Sequence, residues 1–172
     1  MLEQTLVLIK PDGVKRNLIG EIIKRFEDRG LVVKGLEMLT ADEETVRKHY
    51  QLDNRDYIVH LGHIDTTGWT EEQIEEKYQK SFKIVQDLQK FLISGPIIKM
   101  ILEGEKAVFL VREIVGKTDP SNSPKGTIRG DLGQDSFEKS NQEGRAVYNL
   151  IHASGELEEA EREINLWFGK TN

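Results

Sequence analysis

The sequence predicts an α+β fold of the ferredoxin-like kind, a four-stranded antiparallel sheet with helices packed on it. Four short apolar segments have the length and composition of strands, and two main helical segments carry apolar stripes at helical spacing. Their order along the chain, strand-helix-strand followed by strand-helix-strand, favours this fold class. The 172 residues suit one domain, and we see no linker or internal repeat. We therefore expect residues 1–172 to form a single domain.

The first half of the chain gives the clearest signals. An apolar run is stopped by the turn residues "PDG", and a later apolar stripe at helical spacing is followed by Gly30, which is well placed to end a helix. Asp42 has the character of an N-cap. The predicted elements are a strand over 4–10, a helix over 18–30, a strand over 31–40 and a short helix over 42–50.

In the second half, Thr70 and Gln73 form a capping-box signature that opens a longer helix. Its apolar stripe continues to about Leu92, and "SGP" then breaks the helix. A polar stretch over 132–146 is predicted to be an exposed loop. The further predicted elements are a short helix over 95–104, a strand over 106–113, a fourth strand, "AVYNLIH", over 146–152, and a closing helix that carries Leu157, Ala160, Ile164 and Trp167.

Composition excludes several classes of function. The chain has no cysteine, which excludes disulfides and thiolate metal sites and favours a cytoplasmic location. Its net charge of −6 makes nucleic acid an improbable partner. No apolar stretch is long enough to cross a membrane, and the N-terminus "MLEQTLVLIK" does not have the pattern of a signal peptide. We expect no membrane association.

The segment 112–130 is rich in loop residues and contains four basic side chains. Arginine binds phosphate oxygens in a bidentate manner, so this segment is a candidate anion receptor. The alternative is a solvated connection between elements. Lys10, at the end of the first predicted strand, either adds a cation to the same region or is an ordinary surface charge. The basic residues of the segment are Arg112, Lys117, Lys125 and Arg129.

His152 ends the last predicted strand and is followed by three small residues and a helix start. The lone pair of a neutral imidazole can accept a proton, bind a metal or attack phosphorus. The small residues leave room for a bulky group beside the ring, and the helix N-terminus offers N–H groups to an anion. Glu163, on that helix, could orient the ring through a hydrogen bond. The alternative is a histidine that only satisfies its own hydrogen bonds at a strand end.

The segment "NLIHAS" at 149–154 resembles the active-site signature of nucleoside diphosphate kinases. Further segments match that family in the same order, namely "LVLIKPDGV", "LIGEIIKRFEDRGL", "SGP", "LVREIVGKTDP", "PKGTIRGD" and "EREINLWF". The resemblance covers most of residues 4–168. It excludes two stretches, near 53–80 and 132–146, which we interpret as insertions in a long form of the family.

The resemblance implies a homo-oligomer, with a hexamer favoured over a tetramer, and nucleoside di- and triphosphates as substrates. The γ-phosphate would pass from a triphosphate, typically ATP, to a diphosphate by a ping-pong mechanism through a phosphohistidine. His152 would be the nucleophile, attacking through Nδ1, and Glu163 would steady its ring. Mg²⁺ would arrive with the nucleotide, so no protein metal site is expected. The implied nucleotide ligands are Lys10, Tyr50, Arg112, Thr118, Arg129 and Asn149.

The sequence departs from the family pattern in two places. The glycine and aspartate that usually flank the serine after the histidine are Ala153 and Gly155. The base-stacking aromatic belongs before the helix that precedes "SGP", and counting back without gaps places Ile84 there. The nearest aromatic residue is Phe82. We expect Ile84 to contact the base, with Phe82 as the alternative.

Other interpretations stay open. The chain could be a nucleotide-binding or regulatory subunit that has lost transfer, although His152 and the basic residues argue against this. Nucleic-acid binding would be a weak second function. His60 and His63 have a spacing that would suit a metal pair, but we interpret them as ordinary loop histidines.

Overall fold

The computed structural model describes residues 2–62 and 64–169. Its four strands form one sheet in the order β2-β3-β1-β4, and all neighbouring strands are antiparallel. With α2 between β1 and β2, and α6 between β3 and β4, the chain has the β-α-β-β-α-β order of a ferredoxin-like fold. The predicted fold class is confirmed. The strands are β1 Leu2–Ile9, β2 Val32–Thr40, β3 Pro96–Glu105 and β4 Ile151–Ala153.

Nine α-helices lie within the described residues, and helices pack on both faces of the sheet. None of them has the length and apolar character needed to span a bilayer. A single turn of 3₁₀-helix lies at Pro120–Asn122. The helices are α1 Pro11–Lys15, α2 Ile19–Glu27, α3 Glu43–His49, α4 Arg55–Val59, α5 Glu71–Leu92, α6 Ala107–Val115, α7 Ile128–Leu132, α8 Phe137–Gln142 and α9 Leu157–Phe168.

Strand β1 lies inside the sheet and is buried on both faces. Val7 and Ile9 point into a core shared with α2 and α6, whereas Leu6 and Leu8 point into a second core that includes residues of α3, α5 and α9. Successive side chains of a strand face opposite sides of the sheet, so one strand supplies both cores. The two cores hold the end of β1 in a fixed place, and this is where the site described below begins.

The prediction for residues 95–104 was wrong, because this segment is strand β3 and not a helix. β3 pairs with both β1 and β2, and six consecutive residues in it are buried. A strand covered on both faces has no alternation of polar and apolar residues, so periodicity does not distinguish it from a short buried helix. The β-branched residues Ile97, Ile98 and Ile101 were the available signal.

The prediction for residues 106–113 was also wrong, because this segment lies in helix α6. Its buried residues are Ala107, Val108, Val111, Ile114 and Val115, a spacing that places them on one helical face. The apolar run "AVFLV" hid this pattern, since it also fits a buried strand. The two errors exchanged a helix and a strand, which left the number of strands at four.

The fourth strand is much shorter than predicted, because only Ile151–Ala153 of the segment 146–152 pairs with β1. The preceding residue, Leu150, has a φ of 69°, a left-handed conformation that a strand does not contain. The "PDG" segment, predicted as a turn, instead begins the short helix α1 at Pro11. Proline suits the first position of a helix, where no N–H is needed.

The capping predictions are confirmed. The Asp42 carboxylate accepts a hydrogen bond from the Thr45 N–H at 2.8 Å and caps α3. At the start of α5, Thr70 and Gln73 form both hydrogen bonds of a capping box. Each cap of this kind contributes about 1 kcal/mol of stability. Helix α5 ends at Leu92, as the apolar stripe predicts.

The stretch predicted as the first insertion, near 53–80, forms helix α4 and the first part of helix α5. Ile58 and Val59 of α4 and Val85 of α5 are buried, and the Arg55 guanidinium lies 4.3 Å from the centre of the Tyr78 ring. The polar stretch 132–146, predicted to be a loop, contains the short helix α8. The first stretch therefore has apolar contacts that hold it in place.

Hydrogen exchange tests whether this packing persists in solution. We expect protected amides through the turns of α5 that carry Tyr78 and Phe82, since their side chains stack at 5.5 Å between ring centres. Residues 132–146 should exchange faster, because they are mostly polar and Phe137 within them is 44% exposed. Fast exchange throughout residues 70–82 would contradict a packed helix.

Candidate active site

His152 lies on β4, directly opposite Leu8 of β1. Its Nε2 is 2.9 Å from Oε2 of Glu163, and its side chain is only partly exposed. An ionised carboxylate only accepts hydrogen bonds, so Nε2 carries the proton of the neutral ring. Nδ1 then keeps its lone pair. The sheet and the carboxylate together set both the position and the tautomer of the ring.

Glu163 lies on the buried face of α9, with its side chain 1% exposed. Burial pushes the pKa of Glu163 upward, but the charge and hydrogen bond of His152, with contributions from His49 and Ser154, outweigh burial and bring the pKa to about 2. The Ser154 hydroxyl donates to Oε2 of Glu163 at 2.7 Å. Glu163 is therefore ionised near neutral pH and is an acceptor for His152.

Lys10 follows β1 directly, and its side chain turns into the interior. Its Nζ donates to Oδ1 of Asn149 at 2.8 Å, and the residue is 4% exposed. Burial, together with the nearby charge of Arg129, lowers the pKa of Lys10 to about 7, although Asp12 opposes this shift. The amide nitrogen of Asn149 donates to the Thr118 carbonyl at 2.9 Å. A buried ammonium with so low a pKa gains from the arrival of an anion.

Arg129, on α7, is 8% exposed and ties the segment before His152 to the basic loop. Its guanidinium donates to the carbonyls of Asn149 at 3.1 Å, Gly116 at 3.2 Å and Ile151 at 2.6 Å. Burial, then the charge of Arg112, lowers the pKa of Arg129 to about 10, so it remains charged near neutral pH. A guanidinium has five N–H groups, and these three contacts leave others for a ligand.

Arg112 is exposed on α6 and lies beside the residues that follow His152. A Cβ atom built on Gly155 would lie 3.5 Å from Nη1 of Arg112 and 2.9 Å from Oε2 of Glu159. Glu159 also accepts a hydrogen bond from the Gly155 N–H. Because residue 155 is a glycine, the space that its side chain would occupy stays open between the Arg112 guanidinium and the Glu159 carboxylate.

The residue two positions before His152 has an uncommon backbone conformation. Leu150 has a φ of 69°, and such a conformation costs a non-glycine residue about 1–3 kcal/mol. Its N–H donates to Oδ2 of Asp12 at 3.0 Å, and its carbonyl accepts from the Lys10 N–H at 2.8 Å. These bonds hold the turn that brings Asn149 over Lys10 and leads the chain into β4.

Tyr50 also lies in this region, at the end of α3, where its ring centre is 4.7 Å from that of His49. Burial, and then the charge of Glu163, raise the pKa of Tyr50. The structure therefore brings Tyr50, His152, Glu163, Lys10, Asn149, Arg129, Thr118 and Arg112 into one connected region.

The hydrogen bonds, ion pairs and ring contacts that join the site among the described residues do not include Ile84. It lies on α5 and is 52% exposed. Phe82, the alternative, stacks on Tyr78 in the α4–α5 hairpin. Tyr57 on α4 is near enough to the site to feel its charges: burial raises the pKa of Tyr57, and the charge of Glu159 raises it further. The contact of Ile84 with a base stays a prediction.

Sequence reasoning missed His49. It is 2% exposed, its Nδ1 lies 3.2 Å from Oε1 of Glu163, and its ring centre lies 4.5 Å from that of His152. Val46 and His49 are both buried on one face of α3, three residues apart, and this spacing was the available signal.

Two groups of side chains have the types of atom that bind metals. His49, His152 and Glu163 each offer a ligand atom within 4.8 Å of the others, among the described residues, but Glu163 already accepts from His152 and Ser154. A metal here would also compete with the hydrogen bond between His152 and Glu163. In the first insertion, Nδ1 of His60 is 2.9 Å from the Asp56 carbonyl and its Nε2 is 3.2 Å from Oγ1 of Thr66, whereas His63 lies outside the described residues.

A histidine with one ring nitrogen held by a carboxylate, connected to buried cations, has the groups needed for phosphoryl transfer. The fold and this site define a phosphotransferase. Comparison with known proteins identifies which one. The family model for nucleoside diphosphate kinase matches residues 3–61 and 58–172, so the chain belongs to the nucleoside diphosphate kinase family.

Individual relatives agree. A nucleoside diphosphate kinase from Pyrobaculum aerophilum is 40% identical, with the match covering 97% of this chain and 95% of the relative. One from Cutibacterium acnes is 42% identical, covering 96% and 94%. Both matches span almost the whole length of this chain and of the relative.

Solved structures are similar too. The crystal structure of the Pyrobaculum aerophilum enzyme superposes with a TM-score of 0.84 at 37% identity and covers 98% of this chain and 96% of that one. A Borrelia burgdorferi enzyme, solved as a transition-state mimic with vanadate and ADP, has a TM-score of 0.81 at 36% identity, covering 97% and 87%.

Proposed function

We propose that this nucleoside diphosphate kinase moves the γ-phosphate of a nucleoside triphosphate to a nucleoside diphosphate through a phosphohistidine on His152. The observation that supports this most directly is the 2.9 Å pair between Nε2 of His152 and Glu163 at the end of β4. That pair leaves Nδ1 as the nitrogen with a lone pair. Asn149, three residues before His152, accepts one hydrogen bond from Lys10 and another from Arg129.

In the first half-reaction, the Nδ1 lone pair of His152 forms a bond to the γ-phosphorus. The bond from that phosphorus to the bridging oxygen breaks, and the diphosphate leaves with the electron pair. No general base is needed, since the attacking nitrogen has no proton. Positive charge develops on the ring, and the Glu163 carboxylate stabilises it. The second half-reaction reverses these steps with a different diphosphate.

The cations would stabilise charge on the phosphate oxygens. An arriving phosphate favours the charged form of Lys10, whose pKa is about 7 without a ligand. Arg129 and Arg112 would neutralise oxygens of the migrating group, and the Thr118 hydroxyl would donate to another. Asn149 and Tyr50 complete the proposed ligands to ribose and phosphate. Fixed charges of this kind are the main source of catalysis in phosphoryl transfer.

We propose Mg²⁺ as the cofactor. Mg²⁺ prefers oxygen ligands, and the charged groups that surround the proposed phosphate position are mainly ammonium and guanidinium groups. Mg²⁺ would therefore be held chiefly by the nucleotide phosphates and would supply charge neutralisation there.

The sheet edge supports a homo-oligomer, for which we propose a hexamer. β2 is an edge strand, and its residues Val32, Leu36 and Met38 are 56%, 47% and 53% exposed. Exposed apolar side chains along an unpaired edge favour pairing with another copy.

We also propose a cytoplasmic location, on the basis of the cysteine-free composition.

We expect purine and pyrimidine diphosphates, ribo and deoxyribo, to be accepted within about two orders of magnitude of one another, because apolar base contacts discriminate by only ~1–3 kcal/mol. The base would contact either Ile84, as the sequence predicts, or Tyr57, which feels the charges of the site residues Glu159 and Glu163. Tyr57→Ala and Ile84→Ala, compared by KM across four diphosphates, identify which residue is involved. Strict use of one base would contradict this account and would indicate that the α4–α5 stretch determines specificity.

Initial-rate kinetics test the proposed function. With a triphosphate and a diphosphate varied together, a ping-pong enzyme gives parallel double-reciprocal lines, since the first product leaves before the second substrate binds. Intersecting lines would show that both nucleotides bind at once, and direct transfer would then replace the phosphohistidine.

A further inference from the structure

His49 is a buried titratable side chain to which the proposed mechanism assigns no role. It lies at the end of α3, is 2% exposed, and contacts His152, Glu163 and Trp167. Burial, and then the charge of His152, lower the pKa of His49 to about 3, although Glu163 opposes this shift. The imidazole of His49 is therefore neutral at physiological pH.

One nitrogen of His49 is held by Trp167. The Trp167 Nε1–H donates to Nδ1 of His49 at 3.2 Å. An indole N–H can only donate, so Nδ1 is the acceptor, and the proton of the neutral ring is on Nε2. That Nε2 is buried and has no hydrogen-bond partner among the described residues. In this tautomer His49 offers no proton to Oε1 of Glu163, 3.2 Å away.

The ring of His49 also contacts the ring of His152. Their centres are 4.5 Å apart and their planes are inclined at 83°. Rotation of the His152 ring is thus limited by Glu163 at Nε2 and by the nearly perpendicular ring of His49. A flexible aliphatic side chain of similar size would fill the space without presenting a flat ring to His152.

We propose that His49 is a positioning residue, a neutral ring locked by Trp167 that holds His152 with Nε2 on Glu163 and Nδ1 directed to the phosphate. This inference rests on the proposed role of His152 as nucleophile. His49 acts through its ring shape and its neutrality, and not by contact with the nucleotide. Groups that orient a reacting side chain in this way change activity by about 10- to 100-fold.

Two substitutions of comparable volume separate ring shape from simple space filling. His49→Leu should slow the labelling of the protein by γ-³²P-ATP by about 10- to 100-fold, with the nucleotide KM unchanged. His49→Phe should recover most of the rate, because it restores a flat, uncharged ring. His60→Leu, a change at an exposed histidine of the first insertion, is the matched control and should leave the rate unchanged.

Nitrogen-15 NMR of labelled histidines gives a readout that simple destabilisation would not produce. In the unsubstituted protein His152 should be found as one tautomer with its proton on Nε2, and His49 should stay neutral from pH 5 to 8. His49→Leu should mix the two tautomers of His152, and His49→Phe should not.

Equal rates in the Leu and Phe variants, whether both fast or both slow, would overturn the inference, as would protonation of His49 in that pH range. If the Leu variant does not fold, the nitrogen-15 spectrum of the unsubstituted protein decides: a mixture of His152 tautomers, or a protonated His49 between pH 5 and 8, would overturn the inference. His152→Ala, labelled in parallel, tests the proposed function separately, since retained label there would overturn the nucleophile role itself.

Discussion

Replacing His152 with alanine should abolish phosphoryl transfer and leave the fold intact. The ring supplies the attacking nitrogen in the proposed mechanism. Loss of the nucleophile leaves only binding and charge stabilisation, so the residual rate should be below about a thousandth of the original. A coupled assay of triphosphate formation measures it.

The control is His60→Ala, which removes an exposed histidine that the site does not use. It should have the original rate, and melting curves of both variants should agree within a few degrees. A His152→Ala protein with more than about a thousandth of the original rate would show that the phosphate does not pass through this residue.

Removing either arginine should lower turnover by roughly 100-fold or more, the scale of losing one donor to a charged transition state. Arg112→Ala isolates the charge, because the side chain is exposed. Arg129→Ala should in addition destabilise the protein, since the carbonyls of Asn149, Gly116 and Ile151 lose their donor. Steady-state kinetics and thermal melting together distinguish the two effects.

Lys10→Ala should be similarly harmful, whereas Lys117→Ala is the matched control. Lys117 is a basic residue of the segment 112–130, but it is exposed and does not belong to the proposed ligand set. Unchanged kinetics in both arginine variants would place the phosphate site elsewhere in the molecule.

Much of the fold could be predicted because the decisive signals are local. The capping residues Asp42 and Thr70 and the stripe that ends at Leu92 act within one helix, and they were interpreted correctly. β3 and α6 were exchanged because their character depends on tertiary position. A central strand buried on both faces and a buried helix are both simply apolar in sequence.

The site shows the same division. The resemblance placed His152 and Glu163 in adjacent roles, and the structure joins them at 2.9 Å. His49 was missed because its contacts with Glu163 and Trp167 connect α3 with α9, more than a hundred residues apart in the chain. The three carbonyl contacts of Arg129 and the left-handed turn at Leu150 likewise depend on how distant segments meet.

In the proposed mechanism, phosphate rests covalently on His152 between the two half-reactions. The most direct measurement is to incubate the enzyme with γ-³²P-ATP and Mg²⁺, isolate the protein, and add GDP. We predict a label that is stable in alkali and labile in acid, located on the peptide that contains His152 and transferred in full to GTP. Label on another residue, or label on His152 that GDP does not remove, would contradict this account.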